Sequence, residues 1–539
     1  MKETKKIRLY KWIVPIAVLV IFVLIELLIR ITVPPADSSS EIDLAPLYMF
    51  NKIEKKDGTW FQIIGNYNII NKNILFREIP EPGVFRVFIL GGSAAQGWPH
   101  PPNETFSYYL EKTLNRINPS RKTEVINCAV HGYASYRVLQ VFEQIKKFHP
   151  NLIIVWCGNN EFLEERSFND NNFSQVLRRV AGKIRTVQVL NKLIFPPAKL
   201  GRDLNVAGTF WKKTRKEALS LRADEKKYAN VRKIYTQSIS QIVGEAKEKG
   251  IQVMLMTVPV NLLDWQPNVA KLNGSKKDSI IWYNHFFKGR GFMLKNQFDS
   301  SYKEFKLASK IQPENADSWF WMGKAAEQLE DTINAYVYFK HACDLDMNPF
   351  RAVSAFNDSL RSIALKYEIL LFDAEKILRR NAQGGIPGFD LFLDYVHPSK
   401  SGNIHLCAEA AEIINNMPQF NAYHKTKLYT NEIRDWFNDG YSDNSDFLLQ
   451  THCFSLCCLT HQYNSAIMIG NKILQQKIPE NFSNQEIFDK LRLGIDAFQH
   501  RISVDEKLYL NEHVSKDEVD LANKKMNEFY NTFYPYGIF

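Results

Sequence analysis

The stretch Phe85-Arg-Val-Phe-Ile-Leu-Gly-Gly-Ser-Ala-Ala-Gln-Gly97 decides how the rest of the chain is interpreted. Its apolar first half predicts a buried β-strand, and the glycine pair that follows predicts a tight turn. Ser93 then stands at the carboxyl end of a strand, where open α/β sheets bind their ligands. Taken alone, the stretch also fits a structural turn. It lacks the Lys-Ser/Thr of a P-loop and the full spacing of a dinucleotide fingerprint, so it predicts no nucleotide site.

Further apolar runs predict a sheet around this strand. The runs, each followed by a loop, are 124–132, 152–162, 251–259 and 367–373. Apolar residues recur at helical spacing between the first three strands, from Thr105 to Arg116 and from Ser135 to Phe148. Repeated strand, loop and helix units predict a parallel sheet whose loops meet at one edge.

Four motifs follow one another along the chain: Gly-Gly-Ser93, then Gly132, then Asn160 within Gly158-Asn-Asn-Glu161, and finally Asp394-Tyr-Val-His397. In this order they resemble the SGNH (GDSL-type) hydrolase superfamily. The resemblance implies a three-layer α/β/α fold with a parallel sheet, and an ester hydrolase. Gly92 stands where the family has Asp before the serine, and Glu161 stands where it has Asp after the asparagine. These departures loosen the subfamily assignment more than the mechanism.

The chemistry of such a site gives each residue a role. A serine hydroxyl needs an adjacent base, which His397 can supply, and Asp394 can orient and stabilise the imidazolium. By the resemblance, the backbone N–H groups of Ser93 and Gly132 and the side-chain amide of Asn160 form the oxyanion hole. Considered one at a time, each of these residues is found more often in a turn, a loop or a helix cap than in an active site. Their occurrence together in the family order is what favours a hydrolase.

Three more polar residues are candidate substrate contacts: His100, His131 and Glu161. The serine, histidine and aspartate supply nucleophile and base themselves, so we expect no metal and no cofactor. Seven cysteines, an odd number spread over 539 residues, do not form a disulfide framework. Cys453, Cys457 and Cys458 fit core packing better than a metal site.

The first 80 residues predict a membrane anchor. Residues 12–33 are apolar apart from Glu26 and Arg30, which are spaced to pair on one helix face. Residues 1–11 are basic, and no Lys or Arg follows the apolar run until Lys52. This asymmetry predicts an uncleaved signal anchor with a cytosolic N-terminus and a periplasmic or extracellular catalytic domain. A cleaved signal peptide is the alternative. Residues 34–80 are predicted to be a linker.

The hydrolase domain is predicted in two parts, 81–265 and 365–415, with a basic helical insertion at about 166–235. Between the parts, residues 280–348 resemble two tetratricopeptide repeats, because Gly289, Phe305 and Ala308 recur 34 residues later as Gly323, Phe339 and Ala342. These helices are expected to lean on the hydrolase core or on the C-terminal part. The repeats could bind a protein partner or only pack. Residues 420–539 are predicted to be helical, with a weak third hairpin and no catalytic residue.

The formal charge of +10 is concentrated between residues 178 and 233, where sixteen Lys and Arg face four acidic residues. An exported chain makes nucleic acid an improbable partner. A bilayer surface, an anionic envelope polymer or a plain solvated face fits this segment better.

Together these features predict a membrane-anchored serine esterase or acyltransferase that acts on ester groups, preferably O-acetyl groups of envelope glycans. A lipid or lysophospholipid esterase is the alternative enzyme. A non-catalytic scaffold that binds partners through the repeats is the alternative of another class.

Overall fold

The computed structural model describes residues 22–32, 49–63, 74–163, 216, 219–420, 430–437, 443–476 and 485–536. By their contacts, residues 1–51 and 166–202 form one unit, and residues 52–165 with 203–539 form another. The main sheet, the helices that follow it and the site described below belong to the second unit.

The predicted anchor, residues 12–33, lies partly outside the described residues. Its described part, 22–32, is helical, and Arg30 Nε lies 2.7 Å from Glu26 Oε1, which confirms their predicted pairing. Among the described residues, no helix has both the length and the apolar character needed to cross a bilayer. The anchor therefore stays a prediction. The basic insertion lies outside the description up to residue 218, apart from residue 216.

A small sheet lies in the segment that the sequence predicts to be a linker. Its strands are β1 (Phe50–Lys55), β2 (Gly58–Ile63) and β3 (Leu75–Arg77), and β2 pairs with β3 antiparallel. Phe61 and Phe76 place their ring centroids 4.6 and 5.1 Å from the ring of Phe148. This part of the chain is thus packed on the main α/β domain by aromatic contacts, which the sequence of these strands does not predict.

The main sheet has the predicted parallel arrangement. Its strands are β4 (Phe85–Gly91), β5 (Thr123–Asn127), β6 (Leu152–Trp156), β7 (Gln252–Met256) and β8 (Leu370–Phe372). They lie in the order β5-β4-β6-β7-β8, and every pairing is parallel. Every residue of β4 and β6 is buried, as their apolar character predicts. The exception to that character is Arg86 in β4, which is buried and paired with Glu124 at 3.0 Å. Each of the five predicted strands is confirmed.

The helices are numbered in chain order after the anchor: α1 (Ser93–Gln96), α2 (Phe106–Ile117), α3 (Ser135–Ile145), α4 (Glu225–Glu248), α5 (Lys276–Leu294), α6 (Phe298–Ile311), α7 (Ala316–Gln328), α8 (Thr332–Leu345), α9 (Ser354–Tyr367), α10 (Ala374–Asn381), α11 (Lys400–Asn415), α12 (Thr430–Trp436), α13 (Asp443–Leu459), α14 (Tyr463–Gln475), α15 (Gln485–Tyr509) and α16 (Lys516–Tyr536).

The sheet is covered by helices that form two groups. Helices α2 and α11 pack together, and α4 packs against both α3 and α9. The chain runs from β4 to β5 on one side of it and then to β6 on the other side. Because crossovers between parallel strands are right-handed, the helices of these two connections, α2 and α3, lie on opposite faces of the sheet together with the helices that pack on them. The result is the α/β fold expected from the sequence, with helical segments inserted and added.

The inserted helices α5 to α8 repeat one contact. A Cβ atom on Gly289 would lie 2.7 Å from the ring of Phe305, and one on Gly323 would lie 3.0 Å from the ring of Phe339. The same glycine–aromatic packing recurs in the C-terminal part between Gly470 and a phenylalanine of α13, at 2.8 Å. The 34-residue spacing therefore predicts real helical hairpins. Their membership of the tetratricopeptide class stays a prediction.

The inserted hairpins contact both neighbours, as expected. The ring of Phe287 lies 5.2 Å from the ring of Tyr509 in α15. On the other side, Lys340 Nζ lies 2.8 Å from Glu375 Oε1 in α10. Helices α5 to α8 thus contact the C-terminal helices and the main α/β domain through separate side chains.

Candidate active site

The nucleophile turn begins directly after β4. Ser93 is the first residue of α1 and only 6% exposed. Its carbonyl accepts hydrogen bonds from the N–H groups of Gly97 and Trp98, both at 3.0 Å. Gly97 ends α1 with φ of 97°, a conformation that favours glycine. The glycines of the sequence motif therefore shape a short helical turn that holds the Ser93 hydroxyl at the edge of the sheet.

Ser93, His397 and Asp394 form a continuous hydrogen-bonded chain. The Ser93 Oγ lies 2.8 Å from His397 Nε2, and His397 Nδ1 lies 2.6 Å from Asp394 Oδ2. Because an ionised carboxylate only accepts hydrogen bonds, Nδ1 carries the proton and Nε2 is left to accept the serine proton. His397 is 2% exposed and Asp394 is fully buried. This is the geometry of a serine nucleophile with its base and orienting acid.

The Asp394–His397 loop is held by its own backbone. Leu393 N–H donates to the His397 carbonyl at 2.8 Å, and a bridge joins Phe392 to Pro398. The other Asp394 oxygen, Oδ1, accepts from the N–H groups of Val396 and His397 at 2.8 and 2.9 Å. The aspartate thus orients the imidazole and also fixes the loop that carries it.

The loop after β7 supports the aspartate from outside. Asn261 Nδ2 donates to the Asp394 carbonyl at 3.1 Å, and its N–H donates to the Tyr395 carbonyl at 3.0 Å. Arg351 Nη1 in turn donates to the Asn261 carbonyl at 2.6 Å. Asn261 is fully buried, so this support is part of the core and not of the surface.

The pKa of Asp394 lies below its usual range. Burial alone would raise it, but the charge and hydrogen bond of His397 and the hydrogen bond from the Val396 N–H outweigh burial. Asp394 is therefore ionised at neutral pH, as its role beside an imidazole requires.

The expected oxyanion donors meet beside the serine. Among the described residues, the backbone N–H groups of Ser93 and Gly132 donate no hydrogen bond. Asn160 Nδ2 donates one bond to the Tyr133 carbonyl at 3.1 Å and keeps a second proton. A Cβ on Gly92 would lie 2.4 Å from this nitrogen. The departure from the family's Asp at position 92 therefore lets Asn160 approach the nucleophile turn closely.

Of the other candidate substrate contacts, two are structural. Both carboxylate oxygens of Glu161 accept from Ser135, its N–H at 2.7 Å and its hydroxyl at 2.9 Å, and Glu161 is fully buried. It anchors the start of α3 instead of facing a substrate. His100 is 2% exposed, and its Nε2 donates to the Pro398 carbonyl at 2.8 Å. It supports the catalytic loop. His131 is exposed beside Gly132 and remains a candidate.

A further residue of the site comes from the C-terminal helices, where the sequence predicts none. Trp98 Nε1 donates to His452 Nε2 in α13 at 3.3 Å. The Trp98 ring lies between two imidazoles, 5.5 Å from His452 and 5.4 Å from His131. We call these three side chains the aromatic rim. Burial lowers the pKa of His452 to about 4, and Asp394 and His397 lie close enough to influence it. His452 is therefore neutral at pH 7.

The strand order explains why these residues meet. Ser93 follows β4 and Asn160 follows β6, and the chain reverses its direction across the sheet between these two strands. Open α/β sheets bind ligands in the crevice at this switch point. The arrangement can activate a hydroxyl and stabilise a tetrahedral oxyanion. Its residues need no metal for either step.

Comparison with known proteins gives structural likeness only. No protein-family model matches the chain, and no curated protein matches it. Among solved structures, a GDSL-like lipase from Bacteroides thetaiotaomicron aligns at 11% identity over 61% of this chain and 88% of its own, with a TM-score of 0.24. The acetylxylan esterase Axe2 from Geobacillus stearothermophilus aligns at 12% identity over 60% and 90%, with a TM-score of 0.27. Likeness at this level assigns neither a family nor a substrate, so the function rests on the geometry above.

Proposed function

We propose that the protein is a serine esterase or acyltransferase that works through an acyl-enzyme on Ser93. The observation that carries this proposal is the pair of hydrogen bonds from Ser93 to His397 and from His397 to Asp394. A serine, an imidazole and a carboxylate joined in this order, beside three oxyanion donors, form the arrangement that activates serine for acyl transfer.

The reaction steps follow from where each proton is transferred. His397 Nε2 takes the proton of Ser93 as its Oγ bonds to the acyl carbon, and the carbonyl oxygen becomes an oxyanion. The N–H groups of Ser93 and Gly132 and the Asn160 amide stabilise that charge. The imidazolium then gives its proton to the departing alkoxide, which leaves an acyl-serine. Water or a second hydroxyl attacks this ester by the reverse sequence, which gives hydrolysis or transfer.

The substrate we propose is an O-acetyl group on an envelope glycan. Ser93 is only 6% exposed, which favours a small acyl group. The aromatic rim that borders the site offers rings with polar edges, which suit a sugar better than an acyl chain. The predicted anchor and exported catalytic domain would bring the enzyme to such glycans.

Two alternatives keep specific support. A lipid or lysophospholipid esterase would use the predicted anchor and the basic segment to work at a bilayer. A non-catalytic scaffold would use helices α5 to α8 to bind a partner, but it gives no reason for two intact hydrogen bonds through Ser93, His397 and Asp394.

The experiment compares acyl chain lengths on the full-length protein in detergent. We expect aryl acetate and an acetylated xylo-oligosaccharide to be turned over at least tenfold more efficiently, in kcat/KM, than aryl octanoate. Ser93→Ala is the inactive control. A preference for octanoate would support the lipid esterase, and no turnover of any ester would support the scaffold.

A further inference from the structure

A cleft of about 410 Å³ lies outside the site described above. It is lined by Tyr108, Lys112 and Arg116 of α2, by Lys400 at the start of α11, and by Trp436 and Phe437. We call it the cationic cleft. Its volume lies within the range of roughly 300–1,000 Å³ found for small-molecule sites.

Two cations of the cleft are held by aromatic rings and not by acids. Arg116 Cζ lies 4.4 Å from the centroid of the Trp436 ring, and Lys112 Nζ lies 5.5 Å from that of Tyr108. Among the described residues, the contacts recorded for these two cations are with aromatic rings, and no ion pair is recorded for either. Both side chains are exposed. The cleft therefore presents two positive charges that lie against aromatic rings, together with the carboxyl group of Glu104, which lines the same cleft.

Two buried polar atoms at the cleft also lack partners in the described part of the chain. They are Glu104 Oε2 and the Tyr109 hydroxyl, and their side chains are 7% and 1% exposed. Burial raises the pKa of Glu104, against the charge of Lys400, and it raises the pKa of Tyr109. Buried polar groups are usually hydrogen-bonded, so both atoms indicate a ligand with hydroxyl groups.

The requirements define one class of ligand. It carries a negative charge for the cations, hydroxyl groups for Glu104 and Tyr109, and a ring-sized body for a cleft walled by aromatic side chains. Phe437 packs on Tyr109 with ring centroids 4.7 Å apart, which keeps that wall rigid. We propose that the cationic cleft binds an anionic sugar, carrying a carboxylate or a phosphate.

The cleft adjoins the catalytic loop without sharing its chemistry. Lys400 follows His397 by three residues, and His100, which supports that loop, lies close to Glu104 in the chain. An acidic glycan held in the cleft would therefore lie beside the catalytic edge. Binding needs none of the catalytic residues, so this proposal does not depend on the proposed esterase activity.

The test is calorimetric titration of the full-length Ser93→Ala protein in detergent. The ligands are D-glucuronate and its tetrasaccharide, glucose 6-phosphate, D-glucose and inorganic phosphate. We expect at least one anionic sugar to bind ten times or more tightly than glucose and than phosphate. A carboxylate source and a phosphate source are distinguished by which of the two anionic sugars binds better.

Variants then locate the binding. Arg116→Gln and Lys112→Gln should each weaken it about tenfold, as expected for loss of a charge-assisted hydrogen bond. Lys122→Gln, an exposed lysine outside the cleft, should leave it unchanged. Arg116→Gln in the wild-type background should leave aryl acetate hydrolysis unchanged. The proposal is overturned if no anionic sugar binds, if glucose or phosphate binds equally well, or if Lys122→Gln has the effect of Arg116→Gln.

Discussion

The carboxyl edge of the main sheet and the inserted hairpins α5 to α8 are built from opposite kinds of contact. At the sheet edge, the hydrogen bond between Ser93 and His397 joins residues 304 positions apart. In the hairpins, Gly289 meets Phe305 and Gly323 meets Phe339, each within one pair of neighbouring helices. The site at the sheet edge forms only when distant parts of the chain have folded together. The hairpins are held by contacts between helices that are neighbours in the chain. Substitutions should therefore change chemistry in one region and stability in the other.

The largest effect is expected from Ser93→Ala. Removing the nucleophile of a serine hydrolase lowers kcat by ~10⁶, the residual rate coming from binding and the oxyanion hole. Because Ser93 makes its backbone bonds through its carbonyl, the turn should keep its shape, and the melting temperature should change little. Ester turnover and thermal unfolding measure the two quantities. A residual rate within tenfold of wild type would show that Ser93 is not the nucleophile.

Asp394→Asn should lower kcat by about 10⁴. An amide can donate to Nδ1 and so favours the wrong imidazole tautomer, in which Nε2 carries the proton and cannot accept one from Ser93. The matched control is Asp358→Asn, which alters an exposed carboxylate outside the site. Steady-state kinetics of both variants would show whether the loss belongs to position 394.

Asn160→Ala should lower kcat by ~10²–10³ with a much smaller change in KM, because its amide acts on the oxyanion. The adjacent Asn159 provides a sharp control. Its Oδ1 accepts from Ala352 N–H at 2.9 Å, so Asn159→Ala should reduce the free energy of unfolding and affect kcat far less. Equal kcat values for both variants would show that the Asn160 amide does not stabilise the oxyanion.

Gly289→Val tests the hairpins. The added atoms would enter the Phe305 ring, and such overpacking costs roughly 1–3 kcal/mol of stability. Denaturant unfolding should show this loss, while ester turnover at 25 °C stays close to wild type. Gln328→Ala, at the end of α7, is the helical control and should change neither. A large loss of turnover by folded Gly289→Val would mean that the two regions are coupled.

The smallest effect concerns pH and His100. Burial lowers the pKa of this imidazole to about 4 in the folded protein, below its ordinary value near 6.5. The unfolded chain then binds the proton first, so the free energy of unfolding falls as pH drops from about 6.5 to 4. His100→Gln should make this part of the stability profile less steep, and His131 and His452, whose pKa values are also lowered to about 4, should keep the remaining slope. His513→Gln, an exposed histidine, should not.

The sequence predicts structure best where a single pattern of residues, such as an apolar run or a fixed spacing, marks the element. Short apolar runs followed by loops predicted all five strands of the main sheet, and the clearest of them is β6, whose five residues are all apolar and all buried. The loops after those strands then predicted the meeting of Ser93, Gly132 and Asn160, since parallel strands end at one edge. The 34-residue spacing predicted the hairpins, because the same glycine–phenylalanine packing needs the same residues.

Other features carried no such signal. His452 lies in an apolar helix far along the chain from Trp98, and only tertiary packing brings the two together. The sequence makes Glu161 a candidate substrate contact, but both of its carboxylate oxygens accept hydrogen bonds from Ser135. Strand β1 contains Lys52, Glu54 and Lys55 among its six residues, so it carries no apolar run that would predict a strand. In each case the partner lies on another element, which the sequence of either element alone does not reveal.

The central claim is that Ser93 is an activated nucleophile, and one measurement tests it most directly. The full-length protein is treated with a fluorophosphonate and weighed intact, beside Ser93→Ala and His397→Ala. We expect a single adduct on wild type, none on Ser93→Ala, and labelling slowed by about 10³-fold or more on His397→Ala. A folded wild-type protein that takes up no adduct, or one labelled equally in Ser93→Ala, would contradict it.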